Sequence, residues 1–301
     1  MLDFNDYKKY DKVTLSASKI NLFYECPRKY FFRYLLNWPE DEKIVQTVWP
    51  GTGFGLMIHQ ILEFAIIKKK EKVKDKDIIK EAESSFKPFY DKWLEDNKKD
   101  FKKSRGYTYK AFVAKGEKYS KMLTTFVLNY FTLQGNNADL LPEFKFDIEY
   151  EFVEGVTLRG IVDLIYIISD EKYELVDFKT TKDSNKFYFT DWAIDTQSLI
   201  YIYYAAKTFD KYPETFDYLV LNHELKTLFF KSFDLKTKHK NDKLFQGLTY
   251  QVEEVRDYTR KPDLVLANPE RDKCYWCEYR DHCNKKYKGS LTKMLNKIRR
   301  K

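Results

Sequence analysis

Residues 160–180 read GIVDLIYIISDEKYELVDFKT, and this stretch decides the fold. Two runs rich in Val, Ile, Leu and Tyr flank a short polar segment, Ser169 to Lys172, which is the pattern of a β-hairpin. Asp163 stands among apolar residues in the first run, and Asp177 and Lys179 stand beside Leu175, Val176 and Phe178 in the second. Residues two apart in a strand share a face, so Asp177 and Lys179 point the same way. A hairpin turning symmetrically about Asp170 sets Asp163 opposite Asp177. One such Asp is ordinarily a strand-end residue paired with a surface lysine; three charged residues in register among apolar neighbours need another account. Burying them is costly unless something neutralises the pair, and a divalent cation does so. Oxygen ligands favour Mg²⁺ or Mn²⁺. A lysine beside such an ion can orient or deprotonate an attacking water and stabilise charge growing on a phosphate.

Outward from the hairpin, the text stays in strand period. FKFDIEYEF (144–152) and a turn at Glu154-Gly155 precede the hairpin, and FDYLVLN (216–222) and TLFFKSF (227–233) follow it. Helical patterns surround these strands. The first runs from Ser16 to about Leu36, with Ser16 or Ser18 as cap and a kink or a junction of two helices near Cys26-Pro27. A glycine-rich turn, Gly51 to Gly55, leads into a helix reaching about Ile67. Two more are expected over Asp77–Lys98 and Thr108–Leu133, the latter with an apolar face of Phe112, Tyr119, Met122, Phe126 and Tyr130. Others are expected over Trp192–Thr208 and Lys240–Asp257. The expected class is α/β, one domain over 1–301: N-terminal helices (16–67), a helical insertion (68–141), a catalytic α/β core (142–235), and a C-terminal helix with cysteines and a basic tail (236–301).

The chain has 301 residues with a formal net charge of +8, 43% hydrophobic and 18% aromatic, which excludes a disordered tail. No stretch approaches eighteen uninterrupted apolar residues, and MLDFNDYKKYDK lacks the apolar core of a signal peptide. A cytoplasmic protein with no membrane span is expected. The basic balance is compatible with a nucleic-acid partner but equally with a well-solvated surface. No G-x-x-x-x-G-K-[ST] loop is present, so no ATP motor is expected in this chain.

Two helices offer partners to the hairpin. His59 and Glu63 lie four apart on one face, as do Gln197 and Tyr201. Beside a carboxylate pair, His59 is a candidate nitrogen ligand. An amide and a hydroxyl on an apolar helix suit contacts to a phosphate backbone or a stacked base, although Tyr201 alone reads as an ordinary core tyrosine. In order along the chain stand Gly55-x-x-x-His59-x-x-Leu62-Glu63, Gly160-x-x-Asp163, Asp177-x-Lys179 and Gln197-x-x-x-Tyr201. In these motifs the sequence resembles the PD-(D/E)XK nuclease superfamily, in its RecB-like and Cas4-like branch. The resemblance implies a restriction-endonuclease-like core, a mixed central sheet flanked by helices. It implies His59, Asp163, Asp177 and the Phe178 carbonyl as metal ligands and Lys179 as the residue that positions or activates water. Gln197 and Tyr201 would support catalysis and grip the strand, and Glu63 would support His59 or the chemistry. The resemblance does not extend to the insertion.

Four cysteines are present: Cys26, and Cys274, Cys277 and Cys283 as C-x-x-C-x5-C. A C-x-x-C turn lets two thiolates reach one metal, and an intracellular setting disfavours disulfides. Spacing alone leaves zinc and an iron–sulfur cluster both open, with His282 able to replace a zinc ligand. The resemblance extends to Cys26-Pro27-Arg28-Lys29-Tyr30 and the terminal trio, and implies a [4Fe-4S] cluster stapling the two ends of the chain. Arg28, Lys29 and Arg33, interleaved with Tyr30, Phe31 and Phe32, fit a strand-binding channel together with Tyr201, and the basic tail (285–301) fits either that or a solvated terminus. The expected activity is Mg²⁺- or Mn²⁺-dependent hydrolysis of DNA, as an exonuclease, alone or with a separate helicase or a recombination or CRISPR-type complex. The rivals are a non-catalytic DNA-binding scaffold subunit and a zinc-stapled nuclease acting on RNA.

Overall fold

The computed structural model describes residues 12–35, 50–98, 108–134, 139–181, 195–222, 227–235, 244–260, 274, 277–280 and 283. The hairpin at 160–180 is the centre of a mixed sheet, six-stranded among the described residues. Its strands are β1 (Val13–Leu15), β2 (Asp139–Glu149), β3 (Val156–Ser169), β4 (Lys172–Thr181), β5 (Thr215–Asn222) and β6 (Thr227–Asp234). The β3–β4 register runs from Leu164↔Val176 to Ile167↔Tyr173, symmetric about Asp170 as the sequence requires, and shifts only beside the turn. Both β2 and β4 pair antiparallel with β3, β5 pairs parallel with β4, and β6 closes the far side antiparallel to β5.

A fork in this sheet opens the site. A strand has two edges, and β2 occupies one edge of β3 from Thr157 to Ile167. The other edge is therefore shared: β1 takes Val156–Leu158, and β4 takes residues from Leu164 onward. Between them, Arg159 to Asp163 face a gap. A strand of three residues is too short to show a period, which is why the sequence did not reveal β1.

Helices cover both faces. On one lie α1 (Ala17–Glu25), α6 (Thr196–Phe209) and α7 (Gln246–Arg260), burying Ile20, Ile200, Val252 and Val255 against Leu158, Val162 and Leu175. On the other lie α3 (Pro50–Lys70), α4 (Asp75–Asp96) and α5 (Tyr109–Gln134), burying Ile58, Ile61 and Phe86 against Leu164, Val176 and Phe178. Connecting parallel β4 and β5 requires a crossover, and α6 lies within it. No described helix is long and apolar enough to cross a membrane.

Two local expectations are refined. The first helical pattern is indeed two helices, because Cys26 is extended (φ −163°) and Pro27 restarts the helix as α2 (Pro27–Tyr30), followed by a π-helical turn, Phe31–Leu35. Ser16 caps α1 by accepting from Lys19 N at 3.4 Å. By contrast, Gly51–Gly55 is helix rather than turn, being the first residues of α3. Its glycines make room: a Cβ on Gly53 would lie 2.5 Å from the Trp93 ring, and one on Gly55 would lie 3.2 Å from Thr180 Oγ1. The starts of the helices expected from Trp192 and Lys240, together with His282 and the basic tail, lie outside the described residues.

Candidate active site

Three carboxylates form one row across three strands. The β3–β4 register places Asp163 across from Asp177, and the β2–β3 register, Pro142↔Leu164 and Phe144↔Val162, places Glu143 across from Asp163. Neither pair is a normal ladder pair. Glu143 has φ 47°, a left-handed conformation costing an ordinary residue about 1–2 kcal/mol. On β2, Leu141 and Phe144 reach the same core layer though three apart, and on β3 so do Val162 and Ile165. Alternation thus slips by one on both strands at Glu143 and Asp163, re-aiming their carboxylates into the gap of the fork. Asp163 Oδ2 accepts from Phe178 N at 2.7 Å, standing in for the main-chain acceptor that β4 loses as it leaves β3. A strand residue points its N–H and C=O to the same edge, so the Phe178 carbonyl faces this gap too.

The third wall is α3. His59 Nδ1 lies 3.4 Å from Asp163 Oδ1, and its ring meets the Phe178 ring edge-on at 6.0 Å. Burial opposes protonation of His59, but the acceptor and charge of Asp163, with the charge of Asp177, outweigh it and raise the imidazole above its ordinary range. Gly160 lets α6 approach: a Cβ there would stand 2.6 Å from the Phe146 ring and 3.0 Å from that of Tyr201.

Lys179 is clamped. Its ammonium lies 2.6 Å from Asp177 Oδ2 and donates to Gln197 Oε1 at 2.9 Å. Gln197 Nε2 in turn donates to Asp177 Oδ1 at 3.1 Å and to the Tyr201 hydroxyl at 2.7 Å. An ammonium only donates, so the orientation of the Gln197 amide is set by chemistry. Tyr201 accepts here and keeps its own proton to donate. Asp177 is 1% exposed, and burial pushes its carboxyl up to about 7, with Lys179 opposing and Asp163 adding to the rise.

A cavity of about 750 Å³ opens over Glu143 and Asp163, with Asp177 buried behind its lining. Its walls include His59, Glu63, Glu143, Asp163, Gln197 and Tyr201, with Arg159 the one arginine or lysine among the described lining residues. Glu63 lies one turn beyond His59, and its charge, after burial and Asp163, helps push the Glu143 carboxyl up. The donor set fits a divalent cation. His59, Glu143 and Asp163 bring one ligand atom each within 4.8 Å of one another, where atoms on opposite sides of an ion with ~2.1 Å bonds stand ~4.2 Å apart. Asp177 Oδ2, fully buried, accepts no hydrogen bond, Lys179 being close but off line. Glu143 escaped the sequence reading; its only signal was a carboxylate following Pro142 at the head of an apolar strand.

The family model of the PD-(D/E)XK nuclease superfamily matches residues 14–284. The chain belongs to that superfamily. No curated protein matches the chain. A solved structure titled "Crystal structure of SSO0001" is similar at 15% identity over 77% of this chain and 98% of that one, with a TM-score of 0.31, too low to carry weight.

This superfamily member also brings its cysteines together from opposite ends. Cys26, at the α1–α2 break, lies near enough to Cys277 to act on it electrostatically. Cys277 N bonds to Cys274 O at 3.4 Å and Cys283 N to Tyr279 O at 2.8 Å, while Tyr279 packs on Phe32 at 5.4 Å between centroids. The cysteines are thiols with no disulfide. Among the described residues no three of their sulfurs lie within 4.8 Å of one another. Of the cations expected to bind a strand, Arg28 is buried and Lys29 is half-buried. Arg28 is 6% exposed and donates to Cys283 Sγ at 3.2 Å, and Lys29 pairs with Glu25 and Glu278, each at 3.5 Å. Arg33 is exposed, beside the Tyr34 ring.

Proposed function

We propose that the chain is a divalent-cation-dependent deoxyribonuclease that digests DNA from its ends. The observation that carries this reading is the convergence of Asp163 and Asp177 beside a clamped lysine, with a buried Asp177 oxygen that accepts no hydrogen bond. His59, Asp163, Asp177 and the Phe178 carbonyl would hold Mg²⁺ or Mn²⁺, with Glu143 as a further candidate ligand. When bound, the cation supplies the positive charge that lets an anionic phosphate and a hydrolytic water meet in an acidic cavity.

The remaining work falls to side chains. Lys179 donates one N–H to Gln197 and pairs with the Asp177 charge without donating to its Oδ2, so its remaining N–H groups can meet the water or charge developing on the phosphate. Gln197 fixes the lysine, and Tyr201, already accepting from Gln197, donates its proton to a phosphate oxygen. Glu63 orders water or supports His59. Arg33 is the member of the N-terminal basic group able to meet the nucleic-acid backbone.

The four cysteines hold a [4Fe-4S] cluster that ties the α1–α2 junction to the C-terminal segment, closing a loop of nearly the whole chain. With no ATP-binding loop of its own, the nuclease works alone or receives DNA from a separate helicase or a recombination or CRISPR-type assembly.

The test is digestion of end-labelled single- and double-stranded DNA by anaerobically purified protein with Mg²⁺, Mn²⁺ or EDTA, beside Asp177→Ala. Cation-dependent release of label, abolished by EDTA and by the substitution, is expected. Intact DNA from folded protein under every condition overturns the standalone enzyme and leaves a binding subunit.

A further inference from the structure

The buried guanidinium of Arg28 is not used by the nuclease chemistry. Arg28 belongs to α2, the four-residue helix that begins immediately after Cys26, and it reaches Cys283 Sγ, 255 residues away in sequence, at 3.2 Å. Only 6% of the residue is exposed, and a buried cation is stable where an anion or strong acceptors answer it. Lys29, next along, pairs with Glu278 at 3.5 Å and acts electrostatically on Cys277. Two cations from one short helix thus flank the cysteines contributed by the opposite end of the chain.

We propose that Arg28 is the built-in counter-charge of the cysteine metal centre, offsetting the negative charge of four gathered thiolates and holding Cys283 among them. This rests on the cluster reading above. A guanidinium can only donate, and a thiolate bound to iron keeps lone pairs to accept. Hydrogen bonds to ligand sulfurs and nearby net charge are what set the potential of an iron–sulfur centre, so Arg28 acts on the cluster's electronics as well as its retention. A cation here favours the more negative, reduced form. Removing it lowers the reduction potential and loosens Cys283. This positioning role explains why a residue from a basic, aromatic-rich motif faces inward rather than toward DNA.

The experiment compares full-length wild type, Arg28→Gln and Arg28→Lys, purified anaerobically. Three readouts serve: iron and sulfide per chain, the rate of iron release to a chelator, and the reduction potential from bleaching of the cluster's visible absorbance. Arg28→Gln is expected to release iron about 10–100-fold faster, the usual range for removing a residue that supports a metal ligand, and to have a lowered potential. Arg28→Lys, which keeps the charge but not the fork, is expected to recover most of the potential and to release iron at an intermediate rate. Wild-type release rate and potential in Arg28→Gln overturn the assignment. Should that variant fail to fold, Arg28→Lys decides, and release at the wild-type rate overturns it. Wild-type protein without iron and sulfide defeats the cluster reading itself, a result distinct from a loaded wild type whose Arg28 variants are unchanged.

Discussion

Helix α3 serves two regions that are opposites. One stripe, Phe54, Met57, Ile58, Ile61, Leu62 and Ala65, is buried, five of the six in the aromatic lobe formed with α4 and α5. The other, Thr52, Gly55, Leu56, His59, Gln60 and Glu63, lines the cavity. Both follow helical spacing, offset by two residues. In the lobe, Phe86, Tyr90 and Trp93 stack at 5.7 and 5.5 Å, and the buried polar residues, Ser120 and Thr124, are neutral. Of the buried charged residues among the described ones, Arg28, Asp163 and Asp177 lie elsewhere, and Asp217 stands at the margin of the lobe, sharing the β5 face of Leu219 and Leu221. The lobe supplies rigidity, and the site concentrates charges that destabilise the metal-free protein. Stability and activity should therefore separate cleanly between the two.

Breaking the site should move activity most. Lys179→Ala is expected to lower cation-dependent digestion by at least ~10²–10³-fold while circular dichroism stays unchanged. A variant that digests at the wild-type rate would detach the clamp from the chemistry. Next, His59→Gln should weaken Mn²⁺ binding by about 10–100-fold in calorimetric titration, and Glu143→Gln by less, because Glu143 is a further candidate beside the four proposed ligands.

Breaking the lobe should do the reverse. A Cβ on Gly116 would lie 2.0 Å from the Phe86 ring, so Gly116→Ala overpacks a dense core. A loss of about 1–3 kcal/mol is expected, read as a lowered Tm, with digestion per folded molecule nearly unchanged at low temperature. Equal losses in both readouts would mean that the lobe positions α3 finely enough to control catalysis.

The smallest effect sharpens the contrast by pH. Asp177 holds its proton up to about 7 in the folded metal-free protein and to about 4 when unfolded. Between these values the folded state binds more protons, so stability falls as pH rises. Asp177→Asn should flatten that slope and, at pH 8, raise the Tm of metal-free protein by roughly 2–4 °C, about 1 kcal/mol for a domain of this size. Mn²⁺, which competes with the proton, should stabilise wild type more at pH 8 than at pH 5.5. A pH-independent Tm would show that Lys179 alone neutralises Asp177.

What the sequence determined is what local geometry can carry. The two-residue period of 156–180 and a symmetric turn placed Asp163 across from Asp177, and four-residue spacing paired His59 with Glu63 and Gln197 with Tyr201, each on the helix where it is found. The glycines of two motifs were legible as letters, but their reason, the Thr180 hydroxyl and the rings of Phe146 and Tyr201, was not. Only the tertiary structure decided the rest. Glu143 joins the row because β2 pairs with β3 across a paired slip in alternation, which a pattern of strict alternation cannot express. Arg28 faces inward because Cys283 meets it from the far end of the chain. A basic residue between aromatics reads alike whether it awaits a phosphate or a sulfur, because pattern records neighbours in sequence and charge answers to neighbours in space.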